Sequence, residues 1–258
     1  MLLYRLAPDG RYAAGYFGQR PRLLRSDPWS APPASWEWGP EVEEDPPALM
    51  APLRPGKIVG IGRSYRDHAT ELGNPLPEEP LIFLKAPSSL LDPGRPILLP
   101  PESRQVDFEG EIALVIGKRV SRIADDGDAR EAIHGVTCAC DVTARDLQHQ
   151  DRTFARAKSF DTFCPLGPAI RLGNDVEGLE VITRVNSEER QRGSVSQMAW
   201  SPVELLVQVS RFMTLEAGDL VLTGTPAGVG ALAVGDRVEV EIPEVGILSN
   251  PVESREIP

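Results

Sequence analysis

The stretch Gln105-Val106-Asp107-Phe108-Glu109-Gly110-Glu111-Ile112-Ala113-Leu114-Val115-Ile116 decides how this chain is read. Side chains alternate across a β-strand, so Val106, Phe108, Ile112, Leu114 and Ile116 share one face and Asp107, Glu109 and Glu111 the other. The polar face does not stay polar, because it continues as Ala113 and Val115. A solvated acidic face on an edge strand would normally remain polar to its end. Glu109 and Glu111 are therefore expected at the entry to a buried environment. Two carboxylates in such a place repel each other unless a positive charge lies between them.

Outward from this strand the pattern is mainly β. Candidate strands are Lys57–Ile61, Leu81–Lys85, Ile97–Leu99, Val106–Ile116, Gly135–Asp141, Glu180–Asn186, Leu220–Thr223 and Arg237–Ile242. Turns at Asn186–Glu189 and Pro243–Gly246 lead into further strands. Candidate helices are Ser64–Leu72, Asp128–His134, Ala144–Gln150 and Pro202–Met213. The last carries a capping box, with Ser201 at the N-cap, Pro202 in the first turn and Glu204 at N3, followed by Leu205, Val209 and Phe212 at helical spacing. Many strands with few helices predict a mainly β (α+β) fold, a sandwich or a rolled sheet. Residues 1–50 read as a small β appendage (Leu2–Leu6, Tyr12–Phe17, Arg22–Leu24) and a Pro-rich linker over Asp27–Pro47. Residues 51–258 read as the main domain.

Composition narrows the function classes. With 258 residues, 41% of them hydrophobic, the chain can bury a sizeable core. Its 23 glycines and 25 prolines suit many short strands joined by turns. The formal charge of −11 repels phosphate backbones and argues against nucleic acid as a partner. The start, Met1 to Pro8, is too short and too soon interrupted for a signal peptide, and no apolar run approaches the roughly 20 residues that span a bilayer. Cys138, Cys140 and Cys164 read as reduced thiols of a cytoplasmic protein, and Cys138-x-Cys140 lacks the second pair a zinc site would need.

A third carboxylate, Asp141, ends the apolar run Gly135–Cys140 just before a candidate helix, where it reads either as an N-cap or as a partner for Glu109 and Glu111. Three carboxylates without Cys or His make an all-oxygen site. That suits a hard cation, Mg²⁺ first and Mn²⁺ or Ca²⁺ next. In Gly62-Arg63-Ser64-Tyr65-Arg66-Asp67-His68-Ala69-Thr70-Glu71-Leu72-Gly73, His68 and Glu71 are three apart and share a helical face. Such a pair is an ordinary surface contact or a carboxylate-oriented general base. The glycines of Gly60-Ile61-Gly62 suggest a turn ahead of a segment that can close. Only four lysines, Lys57, Lys85, Lys118 and Lys158, stand among 27 basic residues, which singles out Lys85 and Lys158 as candidates for a compact ammonium at a site.

Five separated segments, Gly62–Gly73, Val106–Ile116, Asp141–Gln148, Lys158–Asp161 and Leu222–Gly230, together resemble the fumarylacetoacetate hydrolase family in content and order. The resemblance runs from Lys57 to the C-terminus. It implies a β-roll core, usually dimeric, with a Mg²⁺ or Mn²⁺ site. By motif position it implies Glu109, Glu111 and Asp141 as metal ligands, His68 and Glu71 as a water-activating dyad, and Lys158 as a further catalytic group. Arg145, Gln148 and Thr225 match residues that hold substrate oxygens. Ser64 departs from the asparagine many members carry, and His149–Ala157 is shorter than in some relatives. The implied reaction is C–C hydrolysis of an acylpyruvate, a small 2-oxo acid of the fumarylpyruvate or fumarylacetoacetate kind. Alternatives are 2-hydroxyhepta-2,4-diene-1,7-dioate isomerisation in aromatic catabolism, or oxaloacetate decarboxylation. A non-catalytic, metal-stabilised ligand-binding β protein is the remaining class.

Overall fold

A computed structural model describes residues 1–44, 47–71, 73 and 75–255. In chain order the elements begin with β1 (Leu2–Leu6), β2 (Tyr12–Gly15), β3 (Arg22–Leu24), β4 (Trp38–Glu41), β5 (Leu49–Met50), β6 (Ile58–Gly62), α1 (Arg66–Glu71) and β7 (Leu81–Lys85). Next come β8 (Leu90–Leu91), β9 (Ile97–Leu99), β10 (Val106–Phe108), β11 (Gly110–Ile116), α2 (Asp126–Ala132), β12 (Ile133–Cys140), β13 (Thr143–Ala144), α3 (Arg145–Gln148) and α4 (Ala155–Lys158). The chain closes with β14 (Cys164–Leu172), β15 (Glu180–Val185), β16 (Glu188–Ser194), α5 (Pro202–Phe212), β17 (Leu220–Leu222), β18 (Gly230–Ala231), β19 (Arg237–Ile242) and β20 (Gly246–Ser254). Among the described residues no helix is long and apolar enough to cross a membrane.

The strands form a large sheet ordered β4-β3-β2-β1-β14-β12-β11-β17-β6-β7, a five-stranded sheet β16-β15-β19-β20-β9 and a small sheet β13-β10-β18. The mainly β expectation holds. Strand β11 is buried on both faces, and alternation sorts its side chains. Ile112, Leu114 and Ile116 join one core with Val240 and Leu248 of the five-stranded sheet and Leu205 and Val209 of α5. Ala113 and Val115 join a second core on the opposite face with Ile58, Ala139, Leu220 and Leu222. Leu3, Ala14 and Leu24 of the first 50 residues pack into that second core, and β1 pairs with β14, so these strands extend the central sheet.

Several expectations are corrected. The single strand Val106–Ile116 is broken at Glu109: β10 pairs with β13 and β18, whereas β11 pairs with β12 and β17. The cause lies at Gly110, whose N–H donates to Gln191 Oε1 at 3.0 Å and whose carbonyl accepts from Thr225 Oγ1 at 2.9 Å, side chains taking the place of ladder partners. A Cβ there would stand 1.9 Å from Thr183 Oγ1. The alternation survives the break, since Val106 and Phe108 share the core of Ile112 and Leu114. Gly60-Ile61-Gly62 is strand, not turn; Gly60 is bare because Phe83 lies across it, 2.2 Å from where a Cβ would sit.

Strand β14 carries no strand pattern in the sequence, because Pro165, Gly167 and Pro168 disguise it. A register shift in its pairing with β12, between Val136 and Cys138, accommodates the residues that cannot donate to a ladder. Helix α2 starts two residues early, Asp125 capping it by accepting from Asp128 N, and His134 belongs to β12. Only Arg145–Gln148 of the helix expected over Ala144–Gln150 is helical, and α4 is an additional short helix. The linker Asp27–Pro47 holds β4, with residues 45 and 46 outside the described set. Leu72, the expected end of the first helix, also lies outside it; that helix begins at Arg66, since Tyr65 bridges to Met198. The capping box of α5 is present, but Phe212 is exposed and Val203 and Leu206 take its place in the core.

Candidate active site

Register places the three carboxylates. Glu111 stands opposite Ala139, and one step beyond the Gly110–Cys140 pair the N–H of Asp141 donates to the Glu109 carbonyl at 2.8 Å. Glu111 and Asp141 have the parity of Ala113 and Ala139, so both leave the sheet on the face of the second core. Lys85 is on the same face through its pairing with Ile58. Ligand oxygens of Glu109, Glu111 and Asp141 lie within 4.8 Å of one another, at exposures of 5%, 1% and 0%. Asp141 is not an N-cap; Ala144 occupies that position of α3.

The cations are unevenly shared. Lys158 Nζ donates to Glu109 Oε2 at 2.8 Å and to Asp141 Oδ2 at 2.6 Å, while Lys85 Nζ donates to Asp141 Oδ1 at 2.6 Å. Arg145 donates from Nε to Asp107 Oδ2 at 2.8 Å, from Nη2 to Glu109 Oε1 at 2.6 Å and from Nη1 to Gln148 Oε1 at 2.7 Å. Glu111 has no cation of its own among the described residues; its Oε2 accepts from the Gly224 N–H at 2.6 Å. Burial, then the charges of Asp141 and Glu109, push the Glu111 carboxyl well above its ordinary range. Glu109 shows the opposite: burial alone would raise it, but the charges of Lys158, Arg145 and His68 outweigh burial and hold it well below the usual carboxylate range. Burial opposes the ammonium of Lys158, and Asp141 and Glu109 overcome that and raise its pKa.

This arrangement fits a divalent cation. The donors are all oxygen, they converge, and among the described residues one buried carboxylate makes no ion pair. Lys158 approaches two of the three candidate ligands and rests its ammonium 5.0 Å from the Phe83 ring centroid. Gly60 thus matters at a distance, since the room it leaves for Phe83 sets the surface under Lys158.

The dyad is built on α1. His68 is 5% exposed, and its Nδ1 lies 3.3 Å from Glu71 Oε2. Glu71 in turn accepts from the Gly228 N–H, at 3.0 Å through Oε1 and 3.2 Å through Oε2. Nε2 is the ring nitrogen that Glu71 does not engage. A cleft of about 570 Å³ is lined by His68, Glu109, Arg145, Gln148, Lys158 and Thr225. Glu111, Asp141 and Glu71 are not on its wall. Thr225 Oγ1 also accepts from Gln191 Nε2 at 2.7 Å, so its hydroxyl is engaged by the protein.

Three contributors escaped sequence reasoning. Asp107 was placed on the acidic face but not recognised as an anchor for Arg145. Gln191, 1% exposed, reaches Gly110 and Thr225 from a strand whose neighbours are charged and exposed, and nothing in Glu188–Ser194 marks it. The Gly224 N–H serves Glu111 through the backbone and leaves no side-chain signature.

Residues 57–253 match the family model described as fumarylacetoacetate hydrolase, C-terminal. The chain is 44% identical over 217 residues to the mitochondrial oxaloacetate tautomerase FAHD2A of Bos taurus, covering 79% of this chain and 69% of that one. It is 36% identical to the solved 5-carboxymethyl-2-hydroxymuconate delta-isomerase of Mycobacterium smegmatis, with a TM-score of 0.87 and 100% of both chains covered. It is 34% identical to the fumarylacetoacetate hydrolase structure from Exiguobacterium antarcticum, with a TM-score of 0.79 over 99% of this chain and 100% of that one.

Proposed function

Because the chain belongs to the fumarylacetoacetate hydrolase family, we propose that it is a divalent-metal-dependent enzyme acting on a small 2-oxo acid, and that its core reaction is proton transfer between the keto and enol forms. The observation that carries this reading is Glu111, a buried carboxylate with no ion pair among the described residues, which converges with Asp141 and with Glu109, and Glu109 lines a cleft that also presents His68 and Lys158. Glu109, Glu111 and Asp141 would hold Mg²⁺ or Mn²⁺, and the bound ion would polarise the oxygens of the 2-oxo acid as a Lewis acid.

The chain's own groups do the rest. His68 removes a proton from C3 of the substrate through Nε2, while Glu71 fixes Nδ1 and stabilises the charged ring. Return of that proton to C3, or its delivery to the 2-oxo oxygen, gives the keto or the enol form. Lys158 sets a positive charge against the negative charge that develops on the substrate oxygens. Leu81, Phe83 and Phe154 keep part of the cleft wall apolar, which strengthens these charge interactions. The named tautomerase and isomerase relatives support proton transfer as the common step.

Hydrolysis is the second reading, and the His68–Glu71 pair favours it. The same Nε2 would deprotonate a water that attacks a distal carbonyl, giving C–C cleavage of an acylpyruvate. A panel of oxaloacetate, acylpyruvates and dienedioates, assayed by ultraviolet absorbance with and without Mg²⁺ or Mn²⁺, tests both readings. Metal-dependent loss of the oxaloacetate enol band is expected. Cleavage of an acylpyruvate without enol–keto activity would replace the first reading with the second, and activity that persists without metal would contradict both.

A further inference from the structure

Arg63 is a cation on the cleft wall with no ion-pair partner among the described residues. It follows β6 directly, lines the cleft and is half-buried. Among the described residues no hydrogen bond or ion pair engages its guanidinium. The buried lysine and arginine there are committed: Lys158 to Glu109 and Asp141, Arg145 to Asp107 and Glu109.

The backbone at Arg63 has φ 58°, the left-handed region that favours glycine. Both neighbours enforce it. Gly62 is paired with Leu81 in the sheet, while Ser64 donates from Oγ to the Thr223 carbonyl at 2.5 Å and accepts the Ala199 N–H at 2.7 Å. The chain therefore keeps an arginine where glycine would be unstrained, on the wall of its candidate site. Strain of this kind persists where the surroundings over-determine it, and it concentrates at ligand sites. An unpaired guanidinium suits a planar carboxylate, which it can receive through two parallel N–H donors.

We infer that Arg63 is a specificity-determining residue that receives the second, distal carboxylate of a 2-oxo dicarboxylate. The inference rests on reading the cleft as a 2-oxo acid site. Its test therefore uses binding rather than turnover. The full chain supplemented with Mg²⁺ is titrated with 2-oxoglutarate and with 2-oxopentanoate, which have equal carbon number and differ only in the distal group. The wild type is expected to prefer 2-oxoglutarate by about 10- to 100-fold, the range of a charge-assisted hydrogen bond. R63Q should erase most of that preference and leave 2-oxopentanoate binding unchanged, and R63K should retain part of it. R63G, which accepts the left-handed backbone without strain, should repeat the loss and guards against a folding defect in R63Q. R152Q removes an exposed arginine that lines the same cleft and should keep the preference. Equal binding of both acids by the wild type would overturn the role of Arg63 and leave the 2-oxo acid reading standing. A preference that survives R63Q and R63G, or that R152Q abolishes, would also overturn it. Binding of neither acid would overturn both readings.

Discussion

The carboxylate cluster reaches the cleft through Glu109 and the dyad segment through His68, but the two are held in different ways. Glu109, Glu111 and Asp141 are almost wholly buried, and two of them are gripped by Lys85, Lys158 and Arg145 at 2.6–2.8 Å. The dyad depends on a longer contact, 3.3 Å between His68 and Glu71, and on a backbone amide from the loop around Gly228; the Glu71 side chain is 33% exposed. The first region is preorganised by low-dielectric charge pairing, where moving one group leaves another uncompensated. The second rests on a short helix, with Glu71 partly exposed and tied to the protein by that imidazole contact and one backbone amide. Under the proposed function the difference amounts to a division of labour, in which the sheet would hold the ion and the dyad segment would carry proton transfer.

That contrast can be broken by mutation, beginning with the largest effect. His68→Ala should lower the rate of enol–keto conversion, and of any acylpyruvate hydrolysis, by roughly 10²–10⁴, the loss for a missing general base. A decarboxylation of oxaloacetate should suffer far less. Steady-state kinetics on the three reactions check this, and equal losses in all three would make the dyad a shared proton-transfer device. Lys158→Met should lower kcat by about 10²–10³, as for loss of one preorganised electrostatic donor, without weakening metal affinity. Unchanged turnover would reduce Lys158 to a packing residue. The variant also leaves Glu109 and Asp141 less compensated, so its thermal midpoint without metal should fall and recover when metal is added.

Glu71→Gln sharpens the comparison from the weaker side. It should cost less than His68→Ala, on the order of tenfold in kcat, because the partly exposed carboxylate orients the imidazole rather than transferring the proton. Gly60→Ala should be felt through packing. Its Cβ would stand 2.2 Å from Phe83 Cζ, so the ring must move, at about 1–3 kcal/mol of stability. Phe83 also carries the ammonium of Lys158, so kcat should fall with stability; an unchanged kcat in a destabilised protein would separate packing from chemistry.

The site was more legible in the sequence than the strands that carry it. The period-2 pattern around Glu109 and Glu111, with its apolar continuation through Ala113 and Val115, places two carboxylates at a buried boundary, and Asp141 follows a mainly apolar run. These are local signals, and register then brings the residues together. Strand β14 was hidden because its prolines and glycine contradict strand propensity, and only its neighbours β1 and β12 override that. Gly60 and Gly62 read as a turn because nothing local reveals Phe83 crossing above them. Arg145 was assigned to substrate oxygens by resemblance; its partner Asp107 is 38 positions away in sequence, so that its first engagement is with carboxylates could not be read locally.

The central claim is that Glu109, Glu111 and Asp141 form a cation site in which Glu111 awaits the positive charge. Calorimetric titration of Mn²⁺ into the wild type and Glu111→Gln, across pH and in buffers of different ionisation enthalpy, tests it most directly. The raised carboxyl of Glu111 keeps a proton in the metal-free protein at pH values below that raised pKa, so the wild type should release up to one proton per ion bound and lose affinity as pH falls. The sign for stability is opposite to that of a paired acid. Ionising Glu111 in the fold is unfavourable, so the metal-free wild type should become less stable relative to Glu111→Gln as pH rises above the ordinary carboxyl value of 4.5. Glu109, held low, changes its contribution only below that value. The account predicts one Mn²⁺ per wild-type chain, proton release at low pH and strongly weakened binding in Glu111→Gln. Binding as tight in Glu111→Gln as in the wild type, with no proton released, would contradict it.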